Sequence, residues 1–159
     1  MRYCPECAAE LERRTAGGRE RLCCPACSFV HWDNPVPVVA GIVEIDGRVA
    51  LVRSHGWPAH WRGLVAGFLE SGETAEEGIV REVREELGVE AAIVRRLGDY
   101  AFPEKNQLIL AYHLTAQGPV TPGDELEAVD LLPPDEIRPW SKGTGPALRD
   151  WLAERLRRT

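Results

Sequence analysis

The chain lacks any long run of apolar residues. No window approaches the roughly 20 apolar residues that a membrane-spanning helix requires, and the N-terminal MRYCPECAAE has no apolar segment typical of a secretory signal. An excess of positive charge is also missing, because the formal net charge at pH 7 is -6. This charge argues against general affinity for nucleic-acid phosphates or anionic membranes. We therefore expect a cytoplasmic protein, with neither a membrane nor a nucleic-acid polymer as partner.

Cysteine is absent after residue 27, and the whole chain lacks internal repeats and low-complexity tracts. All five cysteines lie near the N-terminus, as CPEC at 4–7 and CCPAC at 23–27. An odd number of cysteines in tight clusters favours metal ligation in a reducing compartment over a disulfide framework. Residues 1–34 contain no apolar run that could form a core, and Asn34-Pro35 is a turn signal. We predict a small domain at 1–34 and a main domain at 35–159.

The spacing of four cysteines predicts a zinc site. Cys4 and Cys7 form one C-P-x-C motif, and after sixteen residues Cys24 and Cys27 form another. This spacing is within the range of tetrahedral four-cysteine sites, and free thiols are the alternative. Since four thiolates leave no open position, the predicted zinc is structural and supplies folding energy that this segment lacks. Cys23 is interpreted as an apolar neighbour of the site.

Strand and helix patterns alternate in the main domain. Asp46-Gly47 is a hairpin signal between two apolar segments. A helix is predicted to begin after Thr74, whose side chain forms a capping box with Glu77, and to end before Gly88. An amphipathic C-terminal helix is predicted to have an apolar face that includes Leu156. The predicted strands are 36–45, 48–53, 89–97, 106–116 and 127–132, and the helices are 75–87 and 145–158. This order indicates a mixed α/β domain.

Apolar and acidic residues occupy different faces of the first predicted helix. Four apolar residues recur every fourth position and should pack on the sheet: Ala75, Ile79, Val83 and Leu87. Glu82, Glu85 and Glu86 fall at i, i+3 and i+4, so their carboxylates converge on a neighbouring face. Like charges at this spacing destabilise a helix, whereas Mg²⁺ binds oxygen ligands together with phosphates. A solvated surface is the alternative, but the spacing favours a metal site.

The residues before this helix complete the predicted site. Gly67 belongs to the loop AGFLESGE, which brings backbone N–H groups near the positive end of the helix dipole, a favourable place for anions. Glu73 lies just before the helix and could reach Arg81 or a metal-bound water. Within the helix, Arg81 is expected to pair with Glu77 or Glu85.

The same residues match a named pattern. The spacing G-x5-E-x7-R-E-U-x-E-E-x-G-U, where U is apolar, resembles the box of the Nudix hydrolases. We call residues 67–89 the Nudix box. The matching positions are Gly67, Glu73, Arg81, Glu82, Val83, Glu85, Glu86, Gly88 and Val89. The order of strands and helices over 36–159 is similar to that family as well.

The resemblance implies a fold and a chemistry. The implied fold is an α/β/α sandwich with a mixed β-sheet, here preceded by a small zinc ribbon. The implied activity is hydrolysis of nucleoside diphosphates linked to another group, with Mg²⁺ or Mn²⁺ as cofactor. Its metal ligands would be Glu82, Glu85 and Glu86, with a carbonyl from Gly67, and Arg81 would orient them through Glu73. The candidates for the general base are Glu73, Glu86, Glu104, Asp124 and Glu125.

A zinc ribbon before the box resembles the branch that contains NADH, ADP-ribose and FAD pyrophosphatases. This implies a small-molecule nucleotide substrate and, by analogy, a homodimer. NADH pyrophosphatases carry a signature of the form SQPWPFPQS after the box, whereas GDYAFPEKNQLIL here keeps only Phe102-Pro103. One alternative is a nucleoside triphosphate pyrophosphohydrolase. A non-catalytic nucleotide sensor or interaction module is another.

Four aromatic residues are candidates for substrate contacts. Exposed rings near the box could stack on a base, and the candidates are Trp57, Trp61, Phe68 and Phe102. Because tryptophan is mostly buried, a core or dimer contact is the favoured interpretation. The four histidines lack metal-ligand spacing, so we expect His113 and the others to be structural or surface groups.

Overall fold

Nine strands and two long helices make up the computed structural model, which describes residues 1–158. The strands are β1 (Glu12–Ala16), β2 (Arg19–Cys23), β3 (Val30–His31), β4 (Val36–Ile45), β5 (Arg48–Ser54), β6 (Val65–Phe68), β7 (Ala91–Phe102), β8 (Gln107–Ala116) and β9 (Leu126–Leu132). The helices are α1 (Ala75–Leu87) and α2 (Gly145–Arg158). They divide between two units, Met1–Pro35 and the residues from Val36 onward.

The N-terminal unit is a three-stranded antiparallel sheet in the order β1-β2-β3. Its buried apolar cluster is small and consists of Cys4, Leu11 and Cys24, with four partly buried neighbours. So small a core gives little hydrophobic stabilisation. The unit therefore depends on a further stabilising interaction, which the cysteine cluster described below can provide.

A mixed sheet forms the centre of the larger unit. Its order is β7-β8-β4-β5-β9, with β6 also paired to β4. Strand β4 runs parallel to β8 along its whole length and antiparallel to β5 and β6. Because β6 pairs with β4 through Val39↔Gly67, the sheet register fixes the strand that leads into the Nudix box.

One helix covers each face of this sheet. Ile79, Val83 and Leu87 of α1 are fully buried against one face, together with residues of β4 and β8. Leu148 and Trp151 of α2 are buried against the other face, with Ile42 of β4. This arrangement confirms the predicted α/β/α sandwich with a mixed sheet. Among the described residues, no helix combines the length and hydropathy needed to span a membrane.

Most predicted elements are confirmed, and three details differ. The strand predicted at 89–97 is β7, which extends to Phe102. Strand β6 was not predicted, because a four-residue VAGF segment containing glycine carries little periodicity. The apolar face predicted for α2 is wrong at Leu156, which is 80% exposed. This residue lies in the last turn of α2, whereas Leu148 and Trp151 are buried.

Candidate active site and cysteine cluster

Helix α1 is fixed at both ends by its caps. The backbone N–H of Glu77 donates to Thr74 Oγ1 at 3.3 Å, and Glu77 Oε2 accepts from the Thr74 N–H at 2.9 Å. At the other end Gly88 adopts a left-handed conformation (φ 66°), and its N–H donates to Arg84 O. The predicted capping box is thus confirmed, and the caps set which α1 residues face β6.

Gly67 and Glu82 make a close contact between β6 and α1. A Cβ atom built on Gly67 would lie 2.0 Å from Glu82 Oε1, a distance that no side chain could tolerate. The Glu82 side chain is only 13% exposed. Only glycine therefore lets this carboxylate lie against the strand, and burial raises the pKa of Glu82.

Arg81 binds several oxygen atoms around the helix start. Its Nε and Nη2 donate to the two carboxylate oxygens of Glu73 at 2.8 and 3.0 Å, and Nη2 donates to Phe68 O at 3.1 Å. Its Nη1 donates to Glu82 at 2.7 Å and to Glu85 at 3.0 Å. The predicted contacts with Glu73 and Glu85 are confirmed.

The alternative prediction, that Arg81 pairs with Glu77, is wrong, because the Glu77 carboxylate accepts hydrogen bonds from Thr74 in the capping box. The hydrogen bonds from Arg81 lower the pKa of Glu73 to about 2. In return, Glu73 raises the pKa of Arg81. Glu73 is therefore a permanently charged partner that holds the guanidinium in place.

Glu86 is a buried carboxylate with an unsatisfied oxygen. Its Oε1 accepts from the Ala66 N–H at 3.4 Å, and its Oε2 has no hydrogen-bond partner within residues 1–158. Burial raises the pKa of Glu86 to about 8, and the charges of Glu82 and Glu125 act in the same direction. Burying a carboxylate oxygen without a hydrogen-bond partner lowers the stability of the fold. A bound cation would offset that cost, so this observation fits a metal site.

Four carboxylates of the Nudix box, those of Glu70, Glu82, Glu85 and Glu86, face a cavity of about 530 Å³. Its lining residues come from three segments and are Ala66, Gly67, Phe68, Glu70, Arg81, Glu82, Glu85, Glu86, Gly123, Asp124 and Glu125. Oxygen donors dominate this set, as hard divalent cations require. The oxygens of Glu82, Glu85 and Glu86 are less tightly gathered than the cysteine sulfurs: among the described residues, only the sulfurs form a cluster within 4.8 Å.

The segment before β9 supplies part of the lining of this cavity. The Gly123 N–H donates to Glu86 O at 2.9 Å, and a Cβ on Gly123 would lie 2.1 Å from Glu85 O. This close packing brings Asp124 and Glu125 to the cavity. Glu104, another candidate base, is not among the lining residues, and its carboxylate pairs with Lys142 at 2.7 Å.

The four candidate aromatic residues have different environments. Phe68 lines the cavity and is 55% exposed. Trp57 and Trp61 are exposed and are not among the cavity-lining residues. Phe102 packs against a small cluster of buried residues that includes Val38. The predicted core contact is therefore wrong for Trp57, Trp61 and Phe68, whereas their predicted alternative, a dimer contact, stays a prediction. Phe102 is a packing residue.

Four cysteine sulfurs of the N-terminal unit converge within 4.8 Å of one another. The Sγ atoms of Cys4 and Cys27 are 3.6 Å apart, and those of Cys7 and Cys24 are 3.4 Å apart. Tetrahedral zinc with bonds of about 2.3 Å requires sulfurs about 3.8 Å apart, so this donor set fits zinc. Cys23 lies outside the group, and its Sγ donates to Arg21 O at 3.7 Å.

Two family models match this chain. The NUDIX domain family model matches residues 34–154, and the Nudix N-terminal model, a zinc ribbon, matches residues 2–33. A NUDIX hydrolase from Nitrosomonas europaea has a similar crystal structure, with a TM-score of 0.83 and 28% identity. That comparison covers 99% of this chain and 93% of the other.

Two curated relatives have names that state an activity. The NAD-capped RNA hydrolase NudC of Pseudomonas aeruginosa is 33% identical over 84% of this chain and 50% of its own length. The mitochondrial NAD(P)H pyrophosphatase NUDT13 of Homo sapiens is 28% identical over 91% of this chain and 42% of its own length. The chain thus spans about half the length of the curated relatives it matches. On the family match and the box geometry together, this chain belongs to the Nudix family.

Proposed function

We propose that this chain hydrolyses the diphosphate linkage of a nucleoside diphosphate derivative. The observation that carries the proposal is the acidic cavity, which Glu82, Glu85, Glu86 and Glu125 line beside a glycine that no other residue could replace without moving a carboxylate. The names of the curated relatives favour a dinucleotide of the NADH type. ADP-ribose and FAD are further members of the same substrate class.

The proposed cofactor of the cavity is Mg²⁺ or Mn²⁺, held by Glu82, Glu85 and Glu86 with the carbonyl of Gly67. Such ions neutralise charge on phosphoryl oxygens and lower the pKa of a bound water. The chain contributes the arrangement of its carboxylates, for which Arg81 acts as a positioning residue through Glu73. The proposed cofactor of the N-terminal unit is a structural zinc on Cys4, Cys7, Cys24 and Cys27.

Two of the five candidates for the proton acceptor fit the proposal poorly. Glu73 is a poor base, because both of its oxygens bind Arg81 and its pKa is lowered to about 2. Glu104 is not among the residues that line the cavity. The remaining candidates that line the cavity are Glu86, Asp124 and Glu125. A homodimer and a cytoplasmic location stay predictions.

A substrate panel with Mg²⁺ and Mn²⁺ tests the proposed function. NADH, ADP-ribose and FAD should be cleaved to two monophosphate-bearing products. The variant with both Glu85→Gln and Glu86→Gln should lose at least about 100-fold in kcat, because it lacks two carboxylates that would hold the metal. Glu90→Gln is the matched control: this exposed carboxylate pairs with Arg84 beyond the end of α1, so its activity should equal that of the wild type.

Three outcomes would count against the proposal. Release of pyrophosphate from nucleoside triphosphates, with no dinucleotide cleavage, would favour a triphosphate pyrophosphohydrolase. Absence of turnover across the panel would favour a nucleotide sensor. Full activity of the double variant, with its fold retained by circular dichroism, would contradict the assignment of the metal ligands.

A further inference from the structure

The exposed aromatic side chains of the larger unit are concentrated on one segment. Within residues 36–158, the exposed large aromatic residues are Trp57, Trp61 and Phe68, and Trp61 is 54% exposed. All three lie between the end of β5 and the end of β6. Clustered exposed apolar surface commonly marks a ligand or partner site. This segment therefore offers aromatic surface to a ligand.

Trp57 and Trp61 form an ordered pair, which we call the tryptophan platform. Their ring centroids are 6.2 Å apart and their planes meet at 71°, an edge-to-face arrangement. The Trp57 ring packs over Gly63, where a Cβ would lie 3.1 Å from it. The backbone N–H of Trp61 donates to Pro58 O at 2.9 Å. The two rings are therefore held in place although both are exposed.

Arg62 ties the platform to the sheet. Its Nη1 donates to the carbonyls of Ala59 and Trp61 at 2.8 and 2.7 Å, and its Nε donates to the carboxylate of Asp130 on β9. Gly63 and Val52 exchange two backbone hydrogen bonds of 2.9 Å each. The segment that carries both tryptophans is thus fixed to β5 and β9, as a preorganised binding surface requires.

The segment that carries the platform meets residues of the acidic cavity at both of its ends. The His55 N–H donates to the carbonyl of Glu125 at 3.2 Å, and Glu125 lines the cavity. At the other end of the segment, Phe68 lines the same cavity. The segment that carries the two tryptophans therefore begins next to one residue that lines the cavity proposed to bind the diphosphate and ends at another.

We propose that the tryptophan platform stacks a nucleobase of the diphosphate substrate, an inference that rests on the proposed function. Phe68 is the aromatic residue among those that line the cavity, whereas a substrate such as NADH carries two heterocyclic bases, one on either side of its diphosphate. The second base needs a stacking surface outside the cavity, and the platform provides one. Stacking suits any base, because every base has a π-face.

Steady-state kinetics with NADH and ADP-ribose test the platform. Loss of one base stack corresponds to about a fivefold or larger rise in KM. We expect Trp61→Ala to raise KM for NADH by at least about that factor, with kcat nearly unchanged, and Trp61→Phe to restore most of the wild-type KM. Val94→Ala is the matched control, since Val94 is similarly exposed but lies on β7 at the opposite edge of the sheet.

The two substrates distinguish the two possible bases. A rise in KM for both substrates identifies adenine, whereas a rise for NADH alone identifies nicotinamide, because ADP-ribose lacks that ring. Either result supports the platform. An unchanged KM for both substrates overturns the proposal, and so does a Trp61→Phe variant as impaired as Trp61→Ala.

A different result would show that the proposed function is wrong. If wild-type protein cleaves none of NADH, ADP-ribose and FAD, the proposed activity is wrong. The platform is then tested by titrating AMP and nicotinamide mononucleotide into wild-type and Trp61→Ala protein and following tryptophan fluorescence. Tighter binding of either mononucleotide by the wild type than by Trp61→Ala supports a base site. If the two proteins bind AMP with the same Kd, and also bind nicotinamide mononucleotide with the same Kd, the proposal is overturned.

Discussion

At Gly67 a missing side chain decides where a carboxylate can lie. The nearest atoms to a Cβ at this position belong to the carboxylate of Glu82, which is the end of a flexible side chain. A methyl group can therefore be accommodated by moving that carboxylate, with little disturbance of the sheet. The residue acts on the geometry of the site more than on the stability of the fold.

Gly67→Ala should consequently keep its fold and lose activity. We expect a fall in kcat/KM of at least about tenfold, because small displacements of a positioning group have large effects on rate. The melting temperature should stay close to that of the wild type. Calorimetry and kinetics with NADH measure the two quantities, and wild-type activity in this variant would contradict the close contact with Glu82.

Gly41→Ala is the informative counterpart on the neighbouring strand. There a Cβ would lie 2.9 Å from Leu114 Cδ1 and 3.0 Å from Ile79 Cδ1, inside the core. Overpacking of this kind costs about 1–3 kcal/mol. We expect a lower melting temperature for this variant, with kcat nearly that of the wild type below its transition. Gly67→Ala should thus lose activity and keep its melting temperature, whereas Gly41→Ala should keep its activity and have a lower melting temperature.

At the scale of the elements, Arg81 joins the loop before α1 to the helix itself. Its guanidinium binds Glu73 with two hydrogen bonds and also binds Phe68 O at the end of β6. Lysine keeps the charge but not the planar fork that makes these contacts together. Arg81→Lys should therefore lower kcat/KM by at least about tenfold.

Arg84→Lys provides the control for that change. Arg84 lies on the same helix and makes a comparable two-bond contact with Glu90, but on an exposed surface outside the cavity. Exposed ion pairs contribute little stability, so this variant should match the wild type in both activity and melting temperature. Equal loss of activity in the two variants would indicate a general effect on α1.

A second element-scale feature lies beneath α2, where His113 is partly buried. Its Nε2 is 2.6 Å from Glu44 Oε2, its ring meets the Trp151 ring edge to face, and Arg155 also binds Glu44. This confirms the structural role predicted for His113. Burial lowers the pKa of His113, an effect that Glu44 opposes and that Arg95 and Arg155 reinforce. The histidine is thus held in its neutral form.

The sign of the resulting pH dependence follows from linkage. As the pH falls, His113 binds a proton in the unfolded chain near its ordinary pKa of about 6.5, before it does so in the folded protein. The stability that it contributes is therefore present above that pH and lost as the pH falls through the lower folded pKa. His113→Gln keeps a donor for Glu44 without titrating, so its melting temperature should decline less steeply below about pH 6.5 than that of the wild type.

The exposed His60 supplies the control for this comparison, since His60→Gln should follow the wild-type profile. Thermal unfolding between about pH 5 and 8 covers the range in which an ordinary histidine titrates. Parallel profiles for His113→Gln and the wild type would show that His113 contributes nothing to the pH dependence.

At the scale of the whole molecule, the two units are stabilised by different means. The larger unit has extensive buried clusters on both faces of its sheet. The N-terminal unit buries little apolar surface but brings four cysteine sulfurs together. A structural zinc would thus be the main source of folding energy for the smaller unit.

Neighbouring cysteines allow a matched test of this zinc site. Cys23 and Cys24 are both buried, but only Cys24 belongs to the sulfur cluster. Purified wild-type protein and Cys23→Ala should each contain about one zinc per chain, as a single four-cysteine site holds, whereas Cys24→Ala should lose most of it. Elemental analysis measures the content, and equal zinc in the two variants would contradict the assigned ligands.

The sequence by itself determined the features that depend on local spacing. The 3.6-residue period of a helix brings Glu82, Glu85 and Glu86 to one face whatever surrounds them. The capping residues define both ends of α1, and the paired C-P-x-C motifs indicate a metal site. These signals are local, so they needed no knowledge of the sheet.

Only the tertiary structure decided the contacts that span the chain. The β4–β6 register sets Gly67 against Glu82, and packing of Gly123 on α1 brings Glu125 to the cavity. Exposure of Trp57 and Trp61 likewise contradicted the ordinary preference of tryptophan for the interior. Such contacts depend on strand order and register, which residue spacing along the chain does not encode.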